Sequence, residues 1–405
     1  MRRNGSTPAG PADGVVVTGL GVLSCVGSGP ASLWRGMAAA SSQPAPAADP
    51  HAHMEHPLMY SVPEADVPPH AGSLAGTPLG RTSAFALEAV RQAVADADVG
   101  DVPSSRLAVV VGTGMGDSGL HEQWRVDGPP PNGRWSPAFS VASAVGATIG
   151  AEGANVSLSN ACAASAFALS VGADLVAAGE ADVVVAGGAE AYSRVALACF
   201  NRLGAIDPDR CRPFDRRRRG TVFGEGAGFL VLESERHAEA RGAPRVYARV
   251  AGAGWSCDAY HMTAPEPSGE RIARTMRHAL DEAGAEPEEV GCVVPHGTGT
   301  ALNDVVESVA LREVLGARWR DVPLYSLKAL LGHTGGAAGA LAAVAATLIV
   351  DREVLPPNVP LDEPDPDCDV WLPQVAPLSL SAPLALVNAY AFGGNNVSLV
   401  LQGVG

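Results

Sequence analysis

The chain predicts a layered α/β fold made of two similar halves. Strands and helices alternate along most of its 405 residues, and the scheme restarts after an arginine-rich stretch near 236–245. Such alternation argues for helices packed on sheets. Composition agrees: 47% of residues are apolar and only 5% aromatic, and abundant Ala and Gly suit close packing. The halves are expected at 14–240 and 241–405, behind a disordered tail at 1–13. The repeat rests on element order, since the halves share little obvious sequence.

In order, Val15–Thr18 reads as a short buried strand and Gly19-Leu20-Gly21 as the turn after it. Residues 40–80, rich in Pro, His and Ala, read as a surface excursion. Thr82–Asp96 has helical spacing, and Leu107–Val111 is a strand ending at Gly112-Thr113-Gly114. Asn155–Leu158 is a strand, Ala163–Ala178 a helix, Asp182–Ala186 a strand ending at Gly187-Gly188, and Gly228–Leu232 another. After the stretch at 236–245, taken as a linker, come a strand (Val246–Ala253), a helix (Glu270–Ala283) and a strand (Cys292–Pro295). Asp304–Leu315 is helical, Leu324–Ser326 a strand and Gly336–Val350 an apolar helix; Leu384–Ala389 and Val397–Gln402 close the sheet.

A net charge of −15 argues against general nucleic-acid binding. An acidic protein partner would need a local basic patch. Seven scattered cysteines, with no C-x-x-C pair, argue against a disulfide framework or structural zinc and for a reducing compartment. The apolar run Ala340–Val350 is too short to span a bilayer. A cytoplasmic protein without membrane or metal is the expectation. Lys328 is the one lysine among 28 basic residues, so an ammonium is expected to matter there.

The candidate chemistry lies in three loops. Cys162 stands between a strand and a helix, where exposed N–H groups and the macrodipole should favour thiolate and lower its pKa. His296 and His333 each follow a strand and enter glycine-rich loops. A nucleophilic Cys with distant His is a signature of covalent catalysis. Two imidazole N–H groups aimed at one point could stabilise an enolate, and their spacing matches no common zinc site. Asp304 fits as an N-cap or first-turn acid, and Glu307 as an ion-pair partner of Lys328. Phe392-Gly393-Gly394 forms a turn whose N–H groups could serve an oxyanion. Arg216–Arg219, four consecutive arginines, read as a solvated basic loop or as a docking point for an acidic partner or phosphate.

Seven markers in order make the chain resemble the β-ketoacyl synthases of the thiolase superfamily, in their elongating stand-alone form. They are Val17-Thr18-Gly19-Leu20-Gly21, Ala161-Cys162-Ala163, Ala186-Gly187-Gly188-Ala189-Glu190, Pro213-Phe214-Asp215 with Gly224-Glu225-Gly226-Ala227-Gly228, His296-Gly297-Thr298-Gly299-Thr300, Lys328 with Gly332-His333, and Phe392-Gly393-Gly394. The resemblance implies a thiolase-like five-layered α-β-α-β-α fold, a dimer and a decarboxylative Claisen condensation. Cys162 would take the acyl chain from an acyl carrier protein acting in trans. His296 and His333 would stabilise the enolate from a malonyl carrier protein, with Lys328 and Glu307 in support. The N–H groups of Cys162 and Phe392 would form the oxyanion hole, Phe392 would gate the pocket, and Phe200 would line it. No cofactor is implied beyond the carrier's phosphopantetheine.

The chain also departs from its relatives. Where they run Asp-x-x-Arg-Asp-Gly-Phe, it has Asp215-Arg216-Arg217-Arg218-Arg219-Gly220-Thr221. Asn160 and Ala164-Ser165 around the nucleophile are also unusual. These changes favour a type II polyketide or specialised fatty-acyl pathway over housekeeping elongation. A non-catalytic chain-length-factor subunit is the reading from another class, and Cys162 opposes it, although such a subunit could be the partner in a heterodimer.

Overall fold

The computed structural model describes residues 14–69, 72–128 and 136–405; the expected tail at 1–13 lies outside them. In the first half, β1 (Val15–Ser24), β2 (Leu107–Gly112), β3 (Asn155–Leu158), β4 (Val183–Glu190) and β5 (Gly226–Ser234) pair in the order β1-β5-β4-β2-β3. In the second, β6 (Ala248–Cys257), β7 (Val290–Val294), β8 (Leu384–Ala391) and β9 (Asn395–Gly403) pair in the order β6-β9-β8-β7. The two runs match step by step. β1–β5 and β6–β9 are antiparallel, as are β5–β4 and β9–β8. β4–β2 and β8–β7 are parallel. β3 extends the first run in parallel beside β2. Its counterpart beside β7 is one parallel bridge, Val293 to Leu324, so the strand expected at Leu324–Ser326 is only a contact. The backbone turns there into the short helix Leu327–Leu331.

Six helices complete the layers. Of α1 (Arg81–Ala97), α2 (Ser140–Ile149), α3 (Ala164–Ala177), α4 (Glu270–Ala283), α5 (Asn303–Leu315) and α6 (Ala338–Arg352), α1 and α2 cover the outer face of the first half. α4 and α5 cover the outer face of the second, and α3 and α6 pack together between the two strand runs, which join through the antiparallel pairing of β1 and β6. The result is α-β-α-β-α. Segment Gly335–Arg352 is long and apolar enough to cross a membrane by length and composition, but Ala338–Val350 is buried throughout in this middle layer. Leu341, Val344, Leu348, Ile349 and Val350 contribute roughly 1.5–3 kcal/mol each by that burial.

Gly19 and Gly21 do not make a turn. β1 runs on to Ser24 through a register shift between Val17 and Gly19, and β6 carries the same shift between Val250 and Gly252. A Cβ on Gly21 would fall 1.7 Å from the Ala89 carbonyl oxygen of α1, and one on Gly254 would fall 2.1 Å from the Thr275 carbonyl oxygen of α4. Each Gly-x-Gly is thus a bare strip on which a helix backbone lies directly. Other expectations also move. The linker at 236–245 contains a helix, Glu235–Arg241, capped by the Ser234 side chain. The excursion at 40–80 sends Met59 and Tyr60 into the interior.

Gly21→Ala and Gly254→Ala should each destabilise the protein by about 1–3 kcal/mol, the usual range for overpacking, with a Tm several degrees lower by calorimetry. An unchanged Tm would mean that the helices do not rest on these strips.

Candidate active site

The repeat delivers equivalent loops to one place. β3 leads through Asn160 into a 3-10 turn, Ala161–Ala163, and then α3. In the other half the Leu324 bridge leads through Leu327–Leu331 to His333, a 3-10 turn at Gly335–Ala337, and then α6. The two turns touch, so the positive ends of two helices meet. Cys162 heads one loop and His333 precedes the other. His333 therefore follows a short helix rather than the strand expected. Ala161 takes φ 48°, a left-handed conformation that costs a β-carbon residue about 1 kcal/mol or more. His296 is the second residue after β7, following Pro295.

Cys162, His296, His333, Phe200 and Phe392 all line one cavity of about 300 Å³. A second cavity of about 140 Å³ shares Cys162, Phe200 and Phe392 but is otherwise walled by residues such as Met59, Met115, Leu197 and Phe223. Phe200 stacks on Phe392 with centroids 5.1 Å apart and planes 5° from parallel, and meets Phe223 edge-on at 4.8 Å. The stacked pair thus stands where the two cavities adjoin beside the sulfur. The gating and pocket positions assigned to Phe392 and Phe200 are brought together.

The imidazoles of His296 and His333 lie edge-to-face, 5.8 Å between centroids. Burial, with Lys328 nearby, holds both well below the usual histidine range. Each is therefore neutral near pH 7, with one N–H to donate. The Nδ1 atom of each ring is buried with no hydrogen-bond partner among the described residues. Phe223 stacks along His333, its centroid 5.9 Å away. The His333 backbone is pinned between Val222 and Gly224, donating to the Val222 carbonyl and accepting from the Gly224 N–H. Gly332 makes that approach possible at φ 69°, where a Cβ would fall 2.4 Å from Tyr60.

Three buried carboxylates hold the loops. Glu307 accepts the N–H groups of His296 and Gly297, both at 2.8 Å. Asp304, in the first turn of α5, accepts those of Phe214, Thr298 and Gly299. Lys328 does not pair directly with Glu307, contrary to expectation: its Nζ donates to the His296 carbonyl oxygen at 2.5 Å. Lysine and glutamate therefore grip opposite edges of one residue's backbone. Burial pushes the Glu307 carboxyl up against the pull of those N–H donors and Lys328, and pushes the Lys328 ammonium down against the pull of Glu307. The third carboxylate, Glu190, was a marker in the sequence with no role attached. It accepts the N–H groups of Gly114, Met115 and Gly336 at 2.7, 3.0 and 2.8 Å, so it ties the end of β2 to the head of α6. An acid two residues after Gly187-Gly188, at the end of β4, was the available signal.

The oxyanion arrangement also takes a definite form. Gly393 donates to the Met262 carbonyl and Gly394 to that of Ala391, so neither glycine N–H is free. The N–H groups of Cys162 and Phe392 have no acceptor among the described residues. The Asn160 side chain reaches Asn395 at 3.5 Å, which links the nucleophile turn to the Phe392 turn.

The thiol departs from expectation. Burial pushes Cys162 up to about 11, and Glu190 adds to the rise, whereas Lys328 and the sulfur's own backbone N–H pull it down. The resting group is the protonated thiol. Below such a pKa the thiolate fraction grows tenfold per pH unit, so the rate of Cys162 alkylation by iodoacetamide should climb through pH 8.5 without levelling and keep rising to pH 10. Lys328→Ala should slow it further at fixed pH. A plateau at or below pH 8.5, read by intact mass against time, would show that burial does not dominate.

The family description "Beta-ketoacyl synthase, N-terminal domain" matches residues 12–238, and "Beta-ketoacyl synthase, C-terminal domain" matches 247–362. A Staphylococcus aureus (strain N315) 3-oxoacyl-[acyl-carrier-protein] synthase 2 is 32% identical, covering 96% of this chain and 98% of its own. The ishigamide ketosynthase/chain length factor structure is 35% identical with a TM-score of 0.87, covering 98% of this chain and 100% of its own. A type II polyketide ketosynthase solved with its acyl-carrier protein is 30% identical with a TM-score of 0.88, covering 97% and 100%. This chain belongs to the β-ketoacyl synthase family, acyltransferases of thiolase-like fold that catalyse the condensation of an acyl thioester to a 3-oxoacyl product.

Proposed function

We propose that this synthase works in a type II polyketide or specialised fatty-acyl pathway, with Cys162 as nucleophile and His296 and His333 as donors to the enolate. The observation that carries the reading is that the three side chains share one cavity while Cys162 also opens on an apolar one. The Cys162 sulfur attacks the acyl thioester of a carrier protein, and the carrier's thiol leaves with the proton. The acyl chain then lies in the apolar cavity past Phe200 and Phe392. A malonyl carrier protein enters by the cavity that holds the two histidines, and its C–CO2 bond breaks. The enolate oxygen is held by the two neutral imidazoles in a dry site, where such donors act most strongly. The carbanion attacks the acyl carbonyl, whose oxyanion meets the N–H groups of Cys162 and Phe392. Cys162 departs as thiolate, takes a proton from solvent, and leaves the 3-oxoacyl chain on the carrier.

Substrates arrive on phosphopantetheine, so no resident cofactor is invoked. The unusual residues Asn160 and Arg219, with the likeness to the ishigamide and polyketide ketosynthases, support the specialised pathway. The ketosynthase/chain length factor pairing of one relative and the carrier complex of another support the same partners here. Strand β3 is an edge strand whose residues are partly exposed in the single chain, which suits a dimer, homomeric or with a chain-length-factor-like subunit. The seven cysteines are all unpaired, in keeping with a cytoplasmic setting.

Mixing the protein with acyl carrier protein thioesters should give a mass adduct on wild type and none on Cys162→Ala, discharged by malonyl carrier protein with release of CO2. No adduct, with or without a co-expressed partner subunit, would defeat the reading. Because both histidines are neutral far below pH 6.5, malonyl decarboxylation should stay flat from pH 8 to pH 6. His296→Ala should lower it about 10²-fold, the scale of losing one oxyanion donor. A decline with an inflection near pH 6.5 would contradict the buried neutral pair.

A further inference from the structure

The four arginines that looked alike in sequence have separate fates. Arg216 pairs with Glu363 at 2.7 Å, and Arg217 approaches the same carboxylate at 3.7 Å. Arg218 is buried against Asp304 and Asp365 and donates to the carbonyls of Thr300 and Ala301. Upstream, Arg210 and Arg212 are taken up by Asp207 and Asp362. Arg219 differs. Its backbone N–H reaches Asp207, but its exposed guanidinium makes no ion pair among the described residues and lines the Cys162 cavity.

The cavity opens to solvent at this point. Leu203 and Leu302, also in its wall, are 55% and 59% exposed. Arg218 ties the arginine segment to the 300–301 backbone, and the Thr221 N–H bonds the Ala205 carbonyl. Arg219 is therefore held at the entrance between two anchored loops. A thioester reaching Cys162 on a pantetheine arm brings its sulfur inward and leaves its phosphate towards the entrance. A chain of charge −15 disfavours that anion overall, and an uncompensated cation at the entrance offsets this locally.

We propose that Arg219 is a phosphate-binding residue for the phosphorylated pantetheine arm, placed where related synthases carry an acid. The inference rests on the condensing-enzyme reading. Guanidinium suits this role because its planar fork meets two phosphate oxygens at once. The phosphate could belong to a carrier protein or to coenzyme A, which share this group.

The test is equilibrium binding to the Cys162→Ala protein, which cannot be acylated there, using phosphopantetheine, pantetheine and coenzyme A as probes. Phosphopantetheine and coenzyme A should bind about tenfold more tightly than pantetheine, the low end for a charge-assisted contact. Adding Arg219→Ala should erase that preference without altering pantetheine binding, and Arg219→Lys should keep part of it. Arg217→Ala, whose guanidinium approaches Glu363, should keep all of it. For the carrier source, Arg219→Ala should raise KM for acyl carrier protein with kcat nearly unchanged. A preference that survives Arg219→Ala, or no preference in the parent protein, overturns the proposal. A raised carrier KM with the small-probe preference intact also overturns it, because the contact would then be with the carrier's protein surface. Absence of acylation by every thioester would instead sink the condensing-enzyme reading, while the binding ratio still decides Arg219.

Discussion

The active centre is assembled from irregular backbone buried deep in the molecule, and such backbone must find partners for its N–H groups. Three carboxylates meet that demand. Glu190, Asp304 and Glu307 each gather two or three loop N–H groups, and among the described residues only Asp304 forms an ion pair with an arginine. Neither element works without the other: the loops would be unsatisfied without the acids, and the acids too costly to bury without the loops. That mutual need fixes His296 relative to α5 and the head of α6 relative to β2. His296 and the turn that follows His333 then inherit their places from these clamps.

Most of the fold was legible because its strands and helices have strong periodicity and clear ends. α4 spans the expected Glu270–Ala283 and β3 the expected Asn155–Leu158. Gly19-Leu20-Gly21 misled because adjacent glycines usually signal a turn. Here they signal the absence of side chains under a helix, a fact about a neighbour distant in sequence. The same glycines held the missing sequence trace of duplication, since Gly252-Ala253-Gly254 repeats them in the same register beneath α4. Arg236–Arg241 looked like linker because charge masks the helical pattern of a short surface segment.

The site was legible as a set of residues and much less so as electrostatics. Cys162, His296, His333 and Phe392 do converge. The thiol's pKa could not be read from its place before a helix, because that position speaks of the dipole and not of burial. Desolvation raises the thiol, and the pull of Lys328 and of its own backbone N–H does not offset it. Likewise, the spacing of Lys328 and Glu307 suggested a pair, but burial of opposite charges near one peptide let each satisfy a backbone atom instead. Four identical letters at 216–219 could not announce that one would be buried, two face Glu363, and one remain uncompensated.

The paired sheets carry a consequence for origins. The heads of α3 and α6 occupy equivalent positions, one holding a thiol and the other an imidazole. A homodimer of a single ancestral half would present two identical loops at that meeting point. It could offer two thiols or two imidazoles, never one of each. Joining the copies in one chain frees them to diverge, and the chemistry of this centre is a product of that broken symmetry.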